Sequence, residues 1–339
     1  MTQENLNASL ILKQIDLFDP LMVDWVIVTL NLISGEVIGL VGIIANAVTI
    51  VVFCKLGFYD SVDVTLTALA ISDIGSLVSL QFYNIMTNPW ISSVQLPFEA
   101  SEVVVLMSMY PHVYFIRVSG LITAFAALER CVCVVLPLKV KTIFSCKRSI
   151  LIILIIFLIS ISNVVAPYYF FYFDWIFSPE RNSTILRMNL RENWHSGIGL
   201  SFMINDVFIQ YSTFAVLITC TVITSVNLNK NAAWKKSISK GDRQNVETKI
   251  SPKEVKVARM LSLVSVTFVV CLLPLSATIT AVGVVKDMTV GGPYFQVARI
   301  CNSVSFLTET VSSSMNGFIY YKMSSKYRKT CKMLFVRGS

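Results

Sequence analysis

The sequence predicts an all-α fold, a seven-transmembrane helix bundle followed by a short amphipathic C-terminal helix. Three observations carry this. Hydrophobic residues make up 55% of the 339 and charged residues only 14%, with a mean hydropathy of +0.68, whereas soluble domains average about 45–50% apolar and roughly 25% charged. Crossing about 30 Å of hydrocarbon takes roughly 20 apolar residues, and seven such stretches occur along the chain. The connecting segments are short, which leaves no room for a large soluble domain.

Residues 1–26 read as an N-terminal segment outside the membrane, and they hold no apolar core of signal-peptide length. The first span, 27–54, therefore serves as an uncleaved signal anchor. The second to seventh spans read as 62–86, 103–135, 150–173, 198–228, 257–285 and 297–321, so the bundle covers 27–321. Residues 322–339 form a cytoplasmic amphipathic helix and tail. A spanning barrel is disfavoured, because it shows alternating segments of about ten residues rather than unbroken apolar runs.

The net charge is +8, and its distribution sets the topology. Twenty of the 28 basic residues fall in the first, third and fifth loops and in the tail, which positive-inside asymmetry makes cytoplasmic. The acidic N-terminal segment, with Glu4, Asp16, Asp19 and Asp24 against a single lysine, then lies outside. Basic residues beside membrane helices are accounted for by insertion and anionic lipid, so no nucleic-acid partner is expected. Two sequons, at Asn7 and Asn182, fall on the outer side and are candidate glycosylation sites.

Of the eight cysteines only Cys301 approaches the outer surface. A disulfide there needs a second cysteine in the oxidising compartment, so all eight read as free thiols. No cysteine or histidine cluster has metal-ligand spacing. Cys331, in a basic amphipathic stretch beyond the last span, is either a palmitoylation site or a plain thiol at the membrane surface.

Polar groups inside the spans carry the functional information, since a charge at mid-membrane costs about 2.5–3.5 kcal/mol on the insertion scale. In the third span His112, Ser119, Thr123 and Arg130 recur at spacings that place them on one helical stripe, which must face the bundle interior. Glu309, Ser313, Asn316 and Tyr320 repeat the pattern in the last span, and Asp73 and Asn46 add polar groups in the second and first. Each of these could be a structural group gluing helices together; together, on facing stripes, they favour a hydrated internal cavity.

At these residues the chain resembles the rhodopsin-like G-protein-coupled receptors over nearly its whole length. The matching signatures are Asn46, Leu69-Ala70-Ile71-Ser72-Asp73, Leu128-Glu129-Arg130-Cys131 with Pro137-Leu138 after it, Phe268, Cys271 and Pro274, Asn316-Gly317-Phe318-Ile319-Tyr320, and Tyr327. Departures are as informative. Cys131 stands for the usual tyrosine, Leu272 for the tryptophan before Pro274 and Gly317 for the proline after Asn316. The cysteine pair joining the third span to the second outer loop is missing too. This profile is similar to the divergent chemosensory-type receptors of invertebrates.

The resemblance implies a plasma-membrane receptor whose partners are an extracellular small-molecule or peptide ligand, a heterotrimeric G protein and membrane lipid. It assigns Glu129, Arg130, Leu138, Glu254, Asn316 and Tyr320 to coupling and switching. In the resting state Glu254, at the base of the sixth span, holds Arg130; the other reading of Glu254 is one charge in a solvated basic run. Phe268, Leu272 and Pro274 form the pivot about which the sixth helix swings outward. Asp73, Ser119 and Asn316 match the family's internal site for an allosteric sodium ion, and no other cofactor is expected.

A ligand site in the outer half of the bundle is expected at His112, Arg117, Asp206 and Glu309. The alternative for Arg117 is a buried ion pair with Asp206 or Glu309, because an unpaired charge there would be costly. A transporter or channel remains the competing class, since intramembrane charges also mark ion pathways, although the two halves share no similarity and no paired broken helices occur. An enzyme is not expected: the only histidines are His112 and His195, the latter placed in a loop, and neither HExxH nor GxSxG is present.

Overall fold

The computed structural model describes residues 18–58, 60–92, 94–136, 144–179, 181–238, 252–289 and 291–335. Its long helices are α1 (Pro20–Leu56), α2 (Ser61–Met86), α3 (Ala100–Val135), α4 (Cys146–Phe170), α5 (Trp194–Lys230, helical on to Ile238), α6 (Pro252–Val284) and α7 (Phe295–Met323), followed by the shorter α8 (Ser325–Phe335). Six of the seven long helices are apolar enough to cross a membrane by composition alone. The seventh, α7, carries its buried face in serines, threonines, Glu309 and Asn316, which lowers its apolar content without shortening it.

Local chemistry sets the element ends. The Asp19 carboxylate accepts from the Leu21 amide at 3.1 Å, and Pro20 occupies the first turn, where its missing N–H is no loss. This cap starts α1 seven residues ahead of the apolar run from which its beginning was expected. At the other end Gly57 takes φ +72°, a conformation open to glycine without strain. His195, expected in a loop, lies in the first turn of α5, its ring stacked 3.7 Å from that of Trp194.

The helices close into a ring in which α1 packs on α2 and α7, α2 on α3, α3 on α5, α5 on α6 and α6 on α7, while α4 lies outside against α2 and α3. Position decides composition. α4 exposes Leu151, Leu154, Leu158 and Ile159, whereas α2 and α3 are buried along most of their length. Inside a bilayer, lipid tails are as apolar as leucine, so packing and small-residue contacts hold helices together rather than the hydrophobic effect. Gly42 shows this: a Cβ there would come 2.1 Å from the Ser314 hydroxyl, so only glycine lets α1 approach α7 so closely.

One feature departs from an all-helical chain. Between α4 and α5 lies an antiparallel hairpin, β1 (Phe171–Ser178) and β2 (Ser183–Leu190), paired from Phe171↔Leu190 to Ser178↔Ser183. The expected fourth span had absorbed Phe171–Phe173, but helix ends at Phe170 and the aromatic run continues as strand. The hairpin lies against the beginning of α3: the Leu186 amide donates to the Pro97 carbonyl at 3.0 Å, and the Glu99 amide donates to the Leu186 carbonyl at 2.9 Å. Arg187 pairs with Glu102 at 2.6 Å and Arg181 with Glu99 at 2.9 Å. These contacts occupy the place of the missing cysteine pair, and all eight cysteines are free.

Candidate functional site

The polar stripes of α2, α3 and α7 face one another along the bundle axis and form a series of buried layers. Nearest the hairpin end is a cavity of about 450 Å³ between the hairpin-end portions of α1, α2, α3, α5, α6 and α7. Its walls are mostly apolar, with Met109, Phe202, Leu275, Ile279 and Phe306 among them, and Arg299 is its one charged lining residue. Arg299 pairs with Asp24 at 2.6 Å and with the Gln296 side-chain carbonyl at 3.0 Å.

Beneath it, and sharing Met109, Leu275, Ile279 and Phe306 as walls, lies a small cavity of about 30 Å³ that His112, Arg117 and Asp206 help to line. That volume admits about one water. Arg117 is buried and held by three side chains: its guanidinium donates to Asp206 at 3.0 Å, to Asn163 at 3.3 Å and to the Gln210 side chain. One side chain thereby ties α3 to α4 and α5. Of the two partners open to Arg117, the fold selects Asp206.

Glu309 goes instead to His112. The imidazole Nε2 lies 3.0 Å from Glu309 Oε2, and Nδ1 lies 3.1 Å from the Ser76 carbonyl, while the Ser76 hydroxyl donates to Glu309 Oε1 at 3.1 Å. The trio joins α2, α3 and α7, with both His112 and Glu309 1% exposed. The expectation that all four residues line a ligand cavity is corrected to this extent: Glu309 is turned onto His112, and the larger cavity lies one layer further out.

The next layer gathers the three residues expected around sodium. The Ser119 hydroxyl donates to Asp73 Oδ1 at 2.8 Å and the Asn316 amide donates to Oδ2 at 2.7 Å. The donor set suits a small hard cation: a buried carboxylate, and a hydroxyl that can turn its lone pairs inward. Asn46 joins α1 to α7 by donating to the Ser313 carbonyl at 2.8 Å, and its own side-chain oxygen is buried with no partner. Gly317 lies against α1, where an added Cβ would meet the Ala45 carbonyl and the Thr49 hydroxyl at 3.2 Å each.

Toward the α8 end, Arg130 pairs with Glu129 at 2.7 Å, and Glu129 also accepts from the Ser61 hydroxyl of α2. Glu254 sits exposed in the first turn of α6. Tyr320 packs against Phe53 and Tyr327, whose hydroxyl bonds Thr49 at 2.9 Å. Lys326 of α8 reaches Asp63 of α2 at 2.9 Å. Phe268, Leu272 and Phe306 share one apolar cluster, in which the Phe268 ring covers Gly120 of α3. Pro274 stands within the continuous α6 helix, as a pivot requires.

Cys331 is 8% exposed and faces the apolar cluster of Phe53, Tyr320 and Tyr327, so the thiol points into the bundle rather than to its surface. Burial pushes the Cys331 thiol up from its ordinary range. Asn182 lies exposed at the hairpin tip with φ +45°. Leu138 and Asn7 lie outside the described residues.

Sequence reasoning missed Ser76, Asn163, Gln210, Asp24 and Arg299. Gln210 carried a signal, standing one helical turn from Asp206. Arg299 carried another, as a charge just inside an apolar span. Comparison with known families gives one match: the model of the 7 transmembrane receptor (rhodopsin family) matches residues 45–320. A comparison with curated proteins gives no match.

Proposed function

Because the chain belongs to the rhodopsin family of seven-transmembrane receptors, a multi-pass membrane family of receptors rather than enzymes, we propose that it binds an extracellular ligand in the hairpin half of its bundle and activates a heterotrimeric G protein at the α8 end. The observation that carries this reading is the series of buried polar layers between those ends. On α3 alone, His112, Ser119 and Arg130 take part in three successive buried layers, each shared with α2 and two of them with α7. Such layers have discrete hydrogen-bonded arrangements, and a two-state element that both ends can bias is what coupling between distant sites needs.

In this reading the hairpin end faces outward from the plasma membrane and a chemosensory ligand enters there. Phe306 forms the cavity floor and meets the His112 ring edge-on at 6.0 Å, so a ligand that moves Phe306 bears on the His112–Glu309 pair. Only a ligand with differential affinity for the open state can drive the change. α6 then swings about Pro274, Leu272 and Phe268, Arg130 leaves Glu129 and Glu254, and the G protein enters, with Leu138 among its contacts. Asp73 and Ser119, with Asn316 beside them, would hold a sodium ion, which neutralises the carboxylate and ties α2 to α3 in the resting state.

The test is nucleotide exchange on added G protein by the purified chain in lipid, during a screen of small odorants, amino acids and peptides, with ion flux measured in parallel proteoliposomes. Ligand-dependent exchange without flux is expected. Flux without exchange would replace this reading with the transporter or channel one.

A further inference from the structure

We propose that the hairpin-end cavity takes an organic acid with an apolar body, its carboxylate held by Arg299. This deepens the receptor reading and rests on it for the cavity's role as the ligand site. A volume of about 450 Å³ falls in the range of small-molecule pockets, which are largely apolar with a few polar groups that fix orientation. Arg299 is the group here that would fix it.

The state of Arg299 differs from that of the other two arginines on the bundle's inner faces. Arg117 and Arg130 are almost fully buried, Arg117 held by three side chains, among them Asp206 at 25% exposed, and Arg130 paired with the buried Glu129. Arg299 is 30% exposed and its partner Asp24 41% exposed, so the pair sits wet at the cavity rim. A guanidinium has five N–H donors in a planar fork. Two are engaged, by Asp24 and by Gln296. The other three have no partner among the described residues and are open to an incoming acceptor.

A ligand carboxylate can use those donors, or displace Asp24 in an exchange of one carboxylate for another that leaves the charge balance of Arg299 unchanged. The bidentate fit favours a planar carboxylate over a hydroxyl. An ammonium would have to compete with Arg299 for Asp24, which Arg299 already holds at 2.6 Å. The rest of the molecule lies among Met109, Phe202, Ile279 and Phe306, which reward apolar area and discriminate weakly among shapes.

The experiment uses the full chain in lipid nanodiscs, without G protein, and three probes of one shape: 4-phenylbutyrate, 4-phenylbutanol and 4-phenylbutylamine. Calorimetric binding is expected to favour the acid over both others by about tenfold, a difference of about 1.4 kcal/mol. Arg299→Gln should bring the acid down to the alcohol, and Arg299→Lys should retain part of the preference. Asp24→Asn should tighten the acid, because the internal competitor loses its charge. Equal binding of acid and alcohol by the unaltered chain, or no binding of the acid up to millimolar concentration, would overturn the proposal. So would a preference that survives Arg299→Gln or weakens in Asp24→Asn, and if Arg299→Gln fails to fold, the unaltered chain and Asp24→Asn decide. Acid-selective binding that never drives nucleotide exchange would overturn the receptor reading alone, whereas exchange driven by a ligand in a chain indifferent to the acid would overturn this one alone.

Discussion

His112 and Glu309 lie in spans whose composition alone would forbid either charge, and the contact between them removes the objection. Breaking a buried pair by truncating one partner typically costs about 3–5 kcal/mol, whereas replacing both with apolar groups often costs little. Glu309→Ala should therefore lower the thermal midpoint of the purified chain sharply, and Glu309→Leu combined with His112→Phe should recover most of the loss. A single variant as stable as the unaltered chain would mean that the pair is not formed. Arg130 poses the matching question for signalling, since its contact at 2.7 Å is with Glu129 while Glu254 stands exposed at the start of α6. About 1.4 kcal/mol of restraint is worth tenfold in the inactive:active ratio. Glu129→Gln and Glu254→Ala should both raise agonist-independent exchange, the former more, and Arg130→Ala should abolish coupling yet spare ligand binding; unchanged basal exchange in Glu254→Ala at matched expression would remove Glu254 from the lock. His112, Arg130 and Glu309 were visible in the sequence as polar groups on inward stripes, and Glu129 and Glu254 came from the family resemblance. Which of them meet was not visible there, because helical periodicity fixes the face of a residue and says nothing of the residue opposite.

At the scale of elements, the hairpin and α8 show how chain segments are held where apolar burial gives little help. The Arg187–Glu102 and Arg181–Glu99 pairs are half-exposed and worth about 0–1 kcal/mol each, less than the roughly 2–4 kcal/mol of a disulfide. The two backbone bonds to Pro97 and Glu99 and the bond from the Met188 amide to Glu102 at 2.8 Å complete the attachment. Glu102→Ala should accordingly raise hydrogen exchange over β1 and β2 and leave the thermal midpoint nearly unchanged, and mild reduction should alter neither surface expression nor ligand response. Loss of folding under reduction would reveal a disulfide that the free cysteines do not show. The hairpin was illegible in the sequence because a short aromatic run reads equally as the end of a helix or as a strand. α8 was legible as amphipathic, but the direction of its apolar face was not. With Cys331 packed beside Tyr327 and its thiol pushed up by burial, a maleimide reagent should label it slowly in the folded chain and readily after denaturation.

For the whole molecule, the distribution of charge makes the plainest forecast. Tags at both termini should be stained in intact cells at the N-terminus only, and staining of the C-terminal tag without permeabilisation would overturn the outside-to-inside orientation. The class of the protein, its seven spans and the polar stripes along the third and seventh of them were determined by the sequence itself, since a bilayer demands long apolar helices and a 3.6-residue period assigns each polar group a face. The tertiary structure decided the rest: that Arg117 goes to Asp206 and Glu309 to His112, that the roomier cavity lies at Arg299 next to the small one that His112, Arg117 and Asp206 help to line, and that Cys331 turns inward. The reason is separation along the chain. His112 and Glu309 are 197 residues apart, and their contact depends on how α3 and α7 rotate and shift against each other as close-packed bodies. That rotation is set by side-chain packing over the entire ring of helices, and no local stretch of sequence contains it.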